Sequence, residues 1–219
     1  MVIATTFRAF AAAMLGLCVA PQLVPAQARS NWDLSVEAMG SPTGSKPGFF
    51  FGGQVSGVRQ TTLAVRASTD LIAVGPVHVR YTAQLLPVMV LSHVERYELL
   101  ESADRTIYVL SGSGNVYGVG ASPIGLQLAV DLGSRIQAQV GTAVGIAVFT
   151  QHVPSAGGAR RNFSAEWDGA LQVATGRDRW IQLGVRWKHI SNGFTAYENP
   201  GVDNRMIVAG YSARVGRQR

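Results

Sequence analysis

The sequence predicts an all-β protein, an eight-stranded antiparallel transmembrane β-barrel of the outer-membrane type. Three observations support this prediction. Apolar and polar residues alternate over eight segments, and the connections between them alternate between short and long. No apolar run after residue 28 is long enough to cross a bilayer as a helix, although 47% of the residues are hydrophobic. Hydrophobicity spread in this way suits strands with one face toward lipid and the other toward a polar interior.

The eight predicted strands follow one another from residue 32 to residue 215, and each places its apolar side chains on one face. They are residues 32–38, 60–68, 77–85, 115–131, 135–149, 161–174, 179–191 and 203–215. Residues 49–58, which include three consecutive phenylalanines, can extend either strand of the first hairpin. Charged residues on the opposite face are expected to form a polar barrel interior. They are Asp33, Glu37, Arg80, Glu166 and Asp168.

The predicted connections differ in length at the two ends of the barrel. Residues 131–135 and 175–179 are tight turns, whereas residues 92–114, 150–160 and 192–202 are longer and polar. Outer-membrane barrels have short periplasmic turns and long outer loops. The alternative is a soluble eight-stranded barrel of the lipocalin type, which would place its apolar side chains inside. The sequence also ends in Gly216-Arg217-Gln218-Arg219, without the terminal aromatic residue that is common in outer-membrane barrels.

The first 28 residues have the pattern of a cleaved secretory signal peptide. A short basic leader precedes an apolar run over residues 9–20, and Ala26-Gln27-Ala28 forms a small-x-small cleavage site before Arg29. A retained membrane helix would need about 20 apolar residues, and Pro21 shortens this run. Residues 29–219 would then form the barrel, and the single cysteine of the chain, Cys18, would be removed with the leader.

One stretch gathers a nucleophile, a base and an acid within fifteen residues. His189 and Ser191 lie two residues apart on the apolar face of the seventh predicted strand, so their side chains point the same way. Asp203 begins the next strand after a turn rich in Asn, Pro and Gly. We predict a Ser-His-Asp set in which His189 activates Ser191 and Asp203 orients His189. Because this strand runs outward, the set would face lipid near the outer leaflet, and its substrate should be a lipid.

These motifs resemble the lipid A 3-O-deacylase family of outer-membrane barrels. The similar segments are His189-Ile190-Ser191-Asn192, Asn199-Pro200-Gly201-Val202-Asp203 and Gly118-Val119-Gly120-Ala121-Ser122-Pro123-Ile124-Gly125. The resemblance implies catalytic roles for His189 and Ser191, with an acid at Asp203, where the family usually has glutamate; Glu198 is the alternative acid. It also implies an oxyanion hole that includes Asn192 and the backbone at Gly193, although Gly193-Phe194 departs from the small pair often found there.

The implied reaction is hydrolysis of the ester-linked acyl chain at the 3-position of lipid A, without a cofactor or metal. Lipopolysaccharide in the outer membrane of a Gram-negative cell would be the partner, and its phosphates suit a net charge of +6. The basic residues are scattered, so nucleic acid is not expected. His78, His93 and His152 have no metal-ligand spacing. The sequence also lacks a G-x-S-x-G motif, a phosphate-binding glycine loop and a zinc pattern.

Two other functions remain open at this point. One is a noncatalytic small barrel that serves as a scaffold or adhesin, with His189 and Ser191 merely at its rim. The other is an esterase directed at phospholipids. The sequence leaves open the acyl-chain length, the regulation and the oligomeric state, including a homodimer.

Overall fold

The computed structural model describes residues 32–48, 52–102 and 105–215 of the chain. The predicted signal peptide, residues 1–28, lies outside these ranges. Eight strands occur in the described ranges: β1 (Trp32–Gly40), β2 (Arg59–Val74), β3 (Val77–Ser102), β4 (Arg105–Asp131), β5 (Ile136–Val153), β6 (Ala159–Gly176), β7 (Arg179–Ser191) and β8 (Val202–Val215). None of the described residues forms a helix that is long and apolar enough to cross a membrane.

The strands form a closed antiparallel barrel in sequence order. Each strand pairs with the next, and β1 pairs with β8 from Trp32 opposite Val215 to Gly40 opposite Ile207. Closure leaves no edge strand in the barrel wall, where each strand pairs on both sides; beyond Ser92 and before Gly118, β3 and β4 pair with each other. A bilayer requires this arrangement, because its hydrocarbon core offers no water to unpaired backbone groups.

Apolar side chains cover the outside of the barrel and charged side chains fill its inside. Large aliphatic residues are exposed on successive strands, including Val36 at 60%, Leu85 at 63% and Leu183 at 63%. In contrast, Glu37 and Arg186 are fully buried in the interior. A soluble barrel would show the opposite distribution. The transmembrane prediction is therefore confirmed, and the lipocalin-like alternative is wrong.

A layer of paired charges fills the middle of the lumen. Its members are Glu37, Arg66, Glu166, Asp168, Arg186 and Lys188. Arg186 Nη2 lies 2.8 Å from Glu37 Oε2 and 3.1 Å from Asp168 Oδ2, and Lys188 Nζ lies 2.8 Å from Glu166 Oε2. An apolar cluster that includes Met39 and Leu86 is also buried. Eight strands leave an interior that side chains can fill, and here they fill it with ion pairs.

The long β3–β4 hairpin corrects one sequence prediction. Residues 92–114 were expected to form a loop, but β3 continues to Ser102 and β4 begins at Arg105. Their backbones pair up to Ser102 opposite Arg105, with register shifts between Leu91 and Val94 and between Arg96 and Tyr97. At 26 residues, β3 far exceeds the about 9–11 needed to cross a bilayer. Outside the bilayer, backbone pairing does not require hydrophobic alternation, so the sequence pattern missed these strand ends.

The expected extension of the first hairpin by residues 49–58 is also wrong where the structure describes it. Residues 49–51 lie outside the described ranges, and residues 52–58 belong to the connection between β1 and β2. Gly52 and Gly57 have φ values of 81° and 83°, which turn the backbone away from an extended path. The segment instead bonds to the start of β8, where Gln54 N donates to Pro200 O at 2.6 Å.

The two ends of the barrel differ in the length of most of their connections. Residues 150–160 were predicted to form a longer loop, but β5 continues to Val153 and β6 begins at Ala159. Short connections at residues 75–76, 132–135 and 177–178 lie at the same end as the paired residues Trp32 and Val215. The connections 41–58, 154–158 and 192–201 lie at the opposite end. In outer-membrane barrels the end with long connections faces outward. Strand β7 therefore finishes, at Ser191, on the outer side.

Because the outer surface of the barrel faces lipid, we expect the destabilisation caused by a charged substitution there to depend on its depth in the bilayer. Val185 is 45% exposed at the middle of β7, so Val185→Arg should lower the free energy of unfolding by about 2–4 kcal/mol in a bilayer. Val74→Arg is the matched control, because Val74 ends β2 beside a short turn. This substitution should lower the free energy of unfolding by only about 0–1 kcal/mol. Urea titration of both variants in lipid vesicles measures the difference. Equal costs would contradict the membrane position assigned to β7.

Candidate active site

The outer end of β7 presents two polar side chains on the lipid-facing side. Lys188 and Ile190 point into the barrel and are buried, at 2% and 1% exposure. His189 and Ser191 have the opposite parity and share the face of the exposed residues Leu183 and Val185. Alternation along the strand thus separates the polar pair from the charged lumen. Chemistry at this pair would take place on the outer wall of the barrel.

Asp203 lies directly beside His189 on the neighbouring strand. The two residues are register partners between β7 and β8, and His189 Nδ1 lies 2.5 Å from Asp203 Oδ1. The side chains are 13% and 9% exposed. A carboxylate that accepts from Nδ1–H fixes the ring orientation and the tautomer, and it directs Nε2 away from the acid. This is the geometry that a general base needs from its acidic partner.

Ser191 is close to His189 along the chain but is not hydrogen bonded to it. The hydrogen bonds of the described residues include none between the Ser191 hydroxyl and the His189 ring. Alternate residues on one side of a strand lie about 6–7 Å apart at the backbone, so a hydroxyl can reach an imidazole through its χ1 rotamer. Catalytic hydrogen bonds often tighten only when substrate binds. The structure therefore brings His189 and Asp203 together and leaves Ser191 adjacent.

Asn192 organises the β7–β8 loop. Its side-chain Nδ2 donates to Glu198 O at 2.5 Å, and its Oδ1 accepts from Phe194 N at 2.9 Å. Its own backbone N donates to Asn199 Oδ1 at 2.9 Å. Gly193 and Phe194 follow with φ values of 62° and 64°, so the chain reverses immediately after the serine. The predicted oxyanion donor thus makes loop contacts that sequence reasoning did not foresee.

Glu198, the alternative acid, faces a different part of the molecule. Ser155 Oγ donates to Glu198 Oε2 at 2.6 Å, and Glu198 N donates to Gly157 O at 2.9 Å. These contacts join the β7–β8 loop to the connection between β5 and β6. The carboxylate that meets His189 is that of Asp203, and the Glu198 carboxylate meets Ser155.

Two glycines contact the His189–Asp203 pair, and sequence reasoning missed both. A Cβ atom on Gly201 would lie 2.8 Å from His189 Cε1, and this residue has a φ of 64°. Its place in an Asn-Pro-Gly turn was a signal that could have found it. Gly53 N donates to Asp203 Oδ2 at 3.0 Å from the other side. Nothing in the sequence around Gly53 points to that contact.

Aromatic side chains surround the site on the outer wall. Phe163 is the register partner of Ser191 and is 54% exposed, and Trp167 pairs with Trp187 four residues along the strands. In the loop, Phe194 and Tyr197 are 86% and 96% exposed. Aromatic residues form girdles at the membrane interface of outer-membrane barrels. This placement suits a site that meets lipid at the boundary between the bilayer and water.

The described residues contain no group of three or more His, Cys, Asp or Glu side chains arranged to hold a metal ion.

A sequence model of the lipid A 3-O-deacylase family, PagL, matches residues 93–212, which is more than half of the chain. The chain belongs to this family. The matched segment includes β7, the loop after it and β8 as far as residue 212, so it spans Ser191, His189, Asp203, Asn192, Gly193 and Glu198. The resemblance inferred from the sequence is confirmed. A search of curated proteins finds no match.

Solved structures of small outer-membrane proteins are similar to the barrel. Neisserial surface protein A matches at 10% identity and a TM-score of 0.50, over 84% of this chain and 97% of that chain. The outer-membrane enzyme PagL matches at 14% identity and a TM-score of 0.49, over 81% of this chain and 97% of its own. OprG from Pseudomonas aeruginosa matches at 9% identity, 86% and 97% coverage, and a TM-score of 0.45. The predicted fold class, an eight-stranded outer-membrane barrel, is confirmed.

The contacts of His189 predict which carboxylate controls its ring. A proton held between His189 Nδ1 and Asp203 should give a strongly downfield resonance in spectra of 15N-histidine-labelled protein refolded in detergent. Asp203→Asn should abolish or shift that resonance. Glu198→Gln should leave it in place, because the Glu198 carboxylate accepts from Ser155. Loss of the signal in Glu198→Gln alone would transfer the acidic role to Glu198.

Proposed function

We propose that this member of the lipid A 3-O-deacylase family is a serine esterase that hydrolyses the ester-linked acyl chain at the 3-position of lipid A. The observation that carries the proposal is the 2.5 Å pair of His189 Nδ1 and Asp203 Oδ1 on the lipid-facing wall, two residues from Ser191. A histidine oriented by a carboxylate is suited to remove a proton from a serine. A noncatalytic scaffold would have no need for such a pair.

In the first step, Ser191 would attack the ester carbonyl carbon. The Ser191 hydroxyl proton passes to His189 Nε2, while Asp203 accepts from Nδ1–H and stabilises the imidazolium. The carbonyl oxygen takes the electron pair and becomes an oxyanion. When the intermediate collapses, the bond to the sugar oxygen breaks and His189 returns the proton to that oxygen. The products are an acyl-enzyme at Ser191 and a sugar with a free hydroxyl.

In the second step, water would release the fatty acid. His189 takes a proton from the water as it attacks the acyl carbonyl, and then gives that proton to Ser191 Oγ as the ester bond breaks. The fatty acid leaves and the enzyme returns to its starting state. The chemistry balances with water alone, so the reaction needs neither a cofactor nor a metal.

The turn after Ser191 would supply the oxyanion hole. Gly193 and Phe194 reverse the chain within three residues of the nucleophile. Asn192 N donates to Asn199 Oδ1 and Phe194 N to Asn192 Oδ1, so the Gly193 N–H would be the backbone donor in this turn. Preorganised N–H donors that meet the developing charge are worth about 10²–10³-fold in rate. Asn192 would act in this role by fixing the turn through its bonds to Glu198 O and Phe194 N.

A lipid with an anionic headgroup fits the surroundings of the site. Acyl chains would lie along the apolar outer wall, where Phe163 neighbours Ser191. Arg161 and Arg205 are exposed on the same outward faces of β6 and β8 and can meet phosphate groups. This chemistry favours lipid A over a neutral ester. An esterase directed at phospholipids remains as an outcome of the substrate test.

Substitution of the nucleophile and base should abolish activity without loss of the barrel. Ser191→Ala removes one hydroxyl and should change the free energy of unfolding by less than about 0.5 kcal/mol. Without an acyl-enzyme, release of hydroxylated fatty acid from lipid A should fall by about 10³-fold or more. His189→Ala should be nearly as damaging, and the double variant little worse than either single one. The refolded proteins are compared on lipid A and on a phospholipid, with folding checked by heat-dependent gel mobility.

Ser155→Ala is the matched control, because it removes another serine hydroxyl at the outer end while leaving Ser191 intact. It should retain full activity. Full fatty-acid release by Ser191→Ala would rule out the nucleophile. If the wild type released fatty acid from the phospholipid but not from lipid A, the substrate would be a phospholipid and not lipid A.

A further inference from the structure

The connection between β1 and β2 lies across the outer start of β8. We call its described parts, residues 41–48 and 52–58, the first loop. Gln54 N donates to Pro200 O at 2.6 Å, and Val55 N lies 3.3 Å from Gly201 O. These backbone contacts join the first loop to the turn that carries Asp203 into β8.

Gly53 makes the contact that bears on the site. Its N–H donates to Asp203 Oδ2 at 3.0 Å, while Oδ1 of the same carboxylate meets His189. A Cβ atom at this position would lie 2.8 Å from Asp203 Cγ and 3.0 Å from Asp203 N. A side chain here would therefore push the loop and the carboxylate apart. The close approach requires glycine.

Ser45 holds the first loop in this conformation. Its hydroxyl donates to Val55 O at 2.7 Å and accepts from Val58 N at 3.2 Å. Its backbone N also donates to Val58 O at 2.7 Å. The residue is 3% exposed, so these bonds are shielded from water. One buried serine thus closes the loop on itself and fixes the segment that contains Gly53.

The first loop also changes the surroundings of the acid. Asp203 has the outward parity of β8, where Ile207 is 53% exposed, yet Asp203 is only 9% exposed. Gly53 lies against its carboxylate, and the N–H groups of Gln54 and Val55 bond to Pro200 and Gly201 just before it. Both oxygens of the carboxylate are then occupied, one by the imidazole and one by the loop, so the carboxylate cannot rotate away from His189 without losing a bond.

We propose that the first loop is a positioning device for the acid, with Gly53 as a further positioning residue of the active site. The inference rests on the proposed function, since it assigns a role relative to the His189–Asp203 pair. Gly53 touches no reacting atom and acts through Asp203. The family match begins at residue 93, so the first loop lies outside the segment that identifies the family.

The test compares two glycine-to-alanine variants. Gly53→Ala should lower kcat for fatty-acid release by about 10- to 100-fold, as expected for misplacement of a catalytic group, with KM within about twofold of wild type. Gly133→Ala is the control, because a Cβ there would meet nothing within 4 Å in the turn between β4 and β5. It should keep wild-type kinetics. An equal kcat in the two variants would overturn the role of Gly53.

A double-mutant cycle separates positioning from general loss of structure. Once Asp203→Ala has removed the carboxylate, Gly53→Ala should have little further effect, because residues that act as a unit are not additive. If the loss of kcat in the double variant equalled the product of the losses in the two single variants, the proposal would be contradicted. Ser45→Ala provides a second route to the same result if Gly53→Ala does not fold, and its smaller loss of kcat should likewise vanish in the Asp203→Ala background.

A spectroscopic readout tests the contact of Gly53 with the His189–Asp203 pair separately from the proposed reaction. The downfield proton of His189 Nδ1 should shift or broaden in Gly53→Ala and remain unchanged in Gly133→Ala. An unchanged resonance in Gly53→Ala would overturn the inference even if the protein hydrolyses lipid A. Conversely, an inactive wild type whose resonance responds to Gly53→Ala would reject the reaction and retain the role of the first loop.

Discussion

The buried layer of ion pairs in the lumen is the constraint on which the rest of the structure depends. Arg186 meets both Glu37 and Asp168, and Arg66 Nη2 lies 2.6 Å from Asp168 Oδ2. Buried charges tolerate the loss of a partner poorly, at about 3–5 kcal/mol for a broken pair. The layer fills the middle of the barrel, so the interior serves to hold the strands together. The proposed chemistry on a lipid would then take place on the outer wall, the side that His189 and Ser191 face.

Closure of the barrel assembles the site from distant parts of the chain. Strand β1 pairs with β8, so the connection that follows β1 at the outer end must lie above the start of β8. This is why Gly53 reaches Asp203 across 150 residues of sequence. The pairing of β7 with β8 places His189 opposite Asp203. The geometry of the proposed site therefore depends on the same backbone pairing that makes the barrel stable in a bilayer.

The sequence predicted those features that depend on local periodicity. Alternation at Leu183 and Val185 predicted the outward face of β7, and the Asn-Pro-Gly turn placed Asp203 at the start of the next strand. The ends of the β3–β4 hairpin could not be predicted, because backbone pairing outside the bilayer leaves no hydrophobic signal. The bonds of Asn192 within its loop, and the contact of Gly53, depend on tertiary closure. No short sequence pattern predicts these contacts.

If this barrel removes an ester-linked acyl chain from lipid A in the outer membrane, the lipid A of cells that express it should change. Mass spectrometry of lipid A from Gram-negative cells with and without the protein measures this change. We expect a new lipid A species that lacks the single acyl chain ester-linked at the 3-position. Its appearance should depend on Ser191. An unchanged lipid A profile in cells that carry the folded protein in their outer membrane would contradict the proposed function.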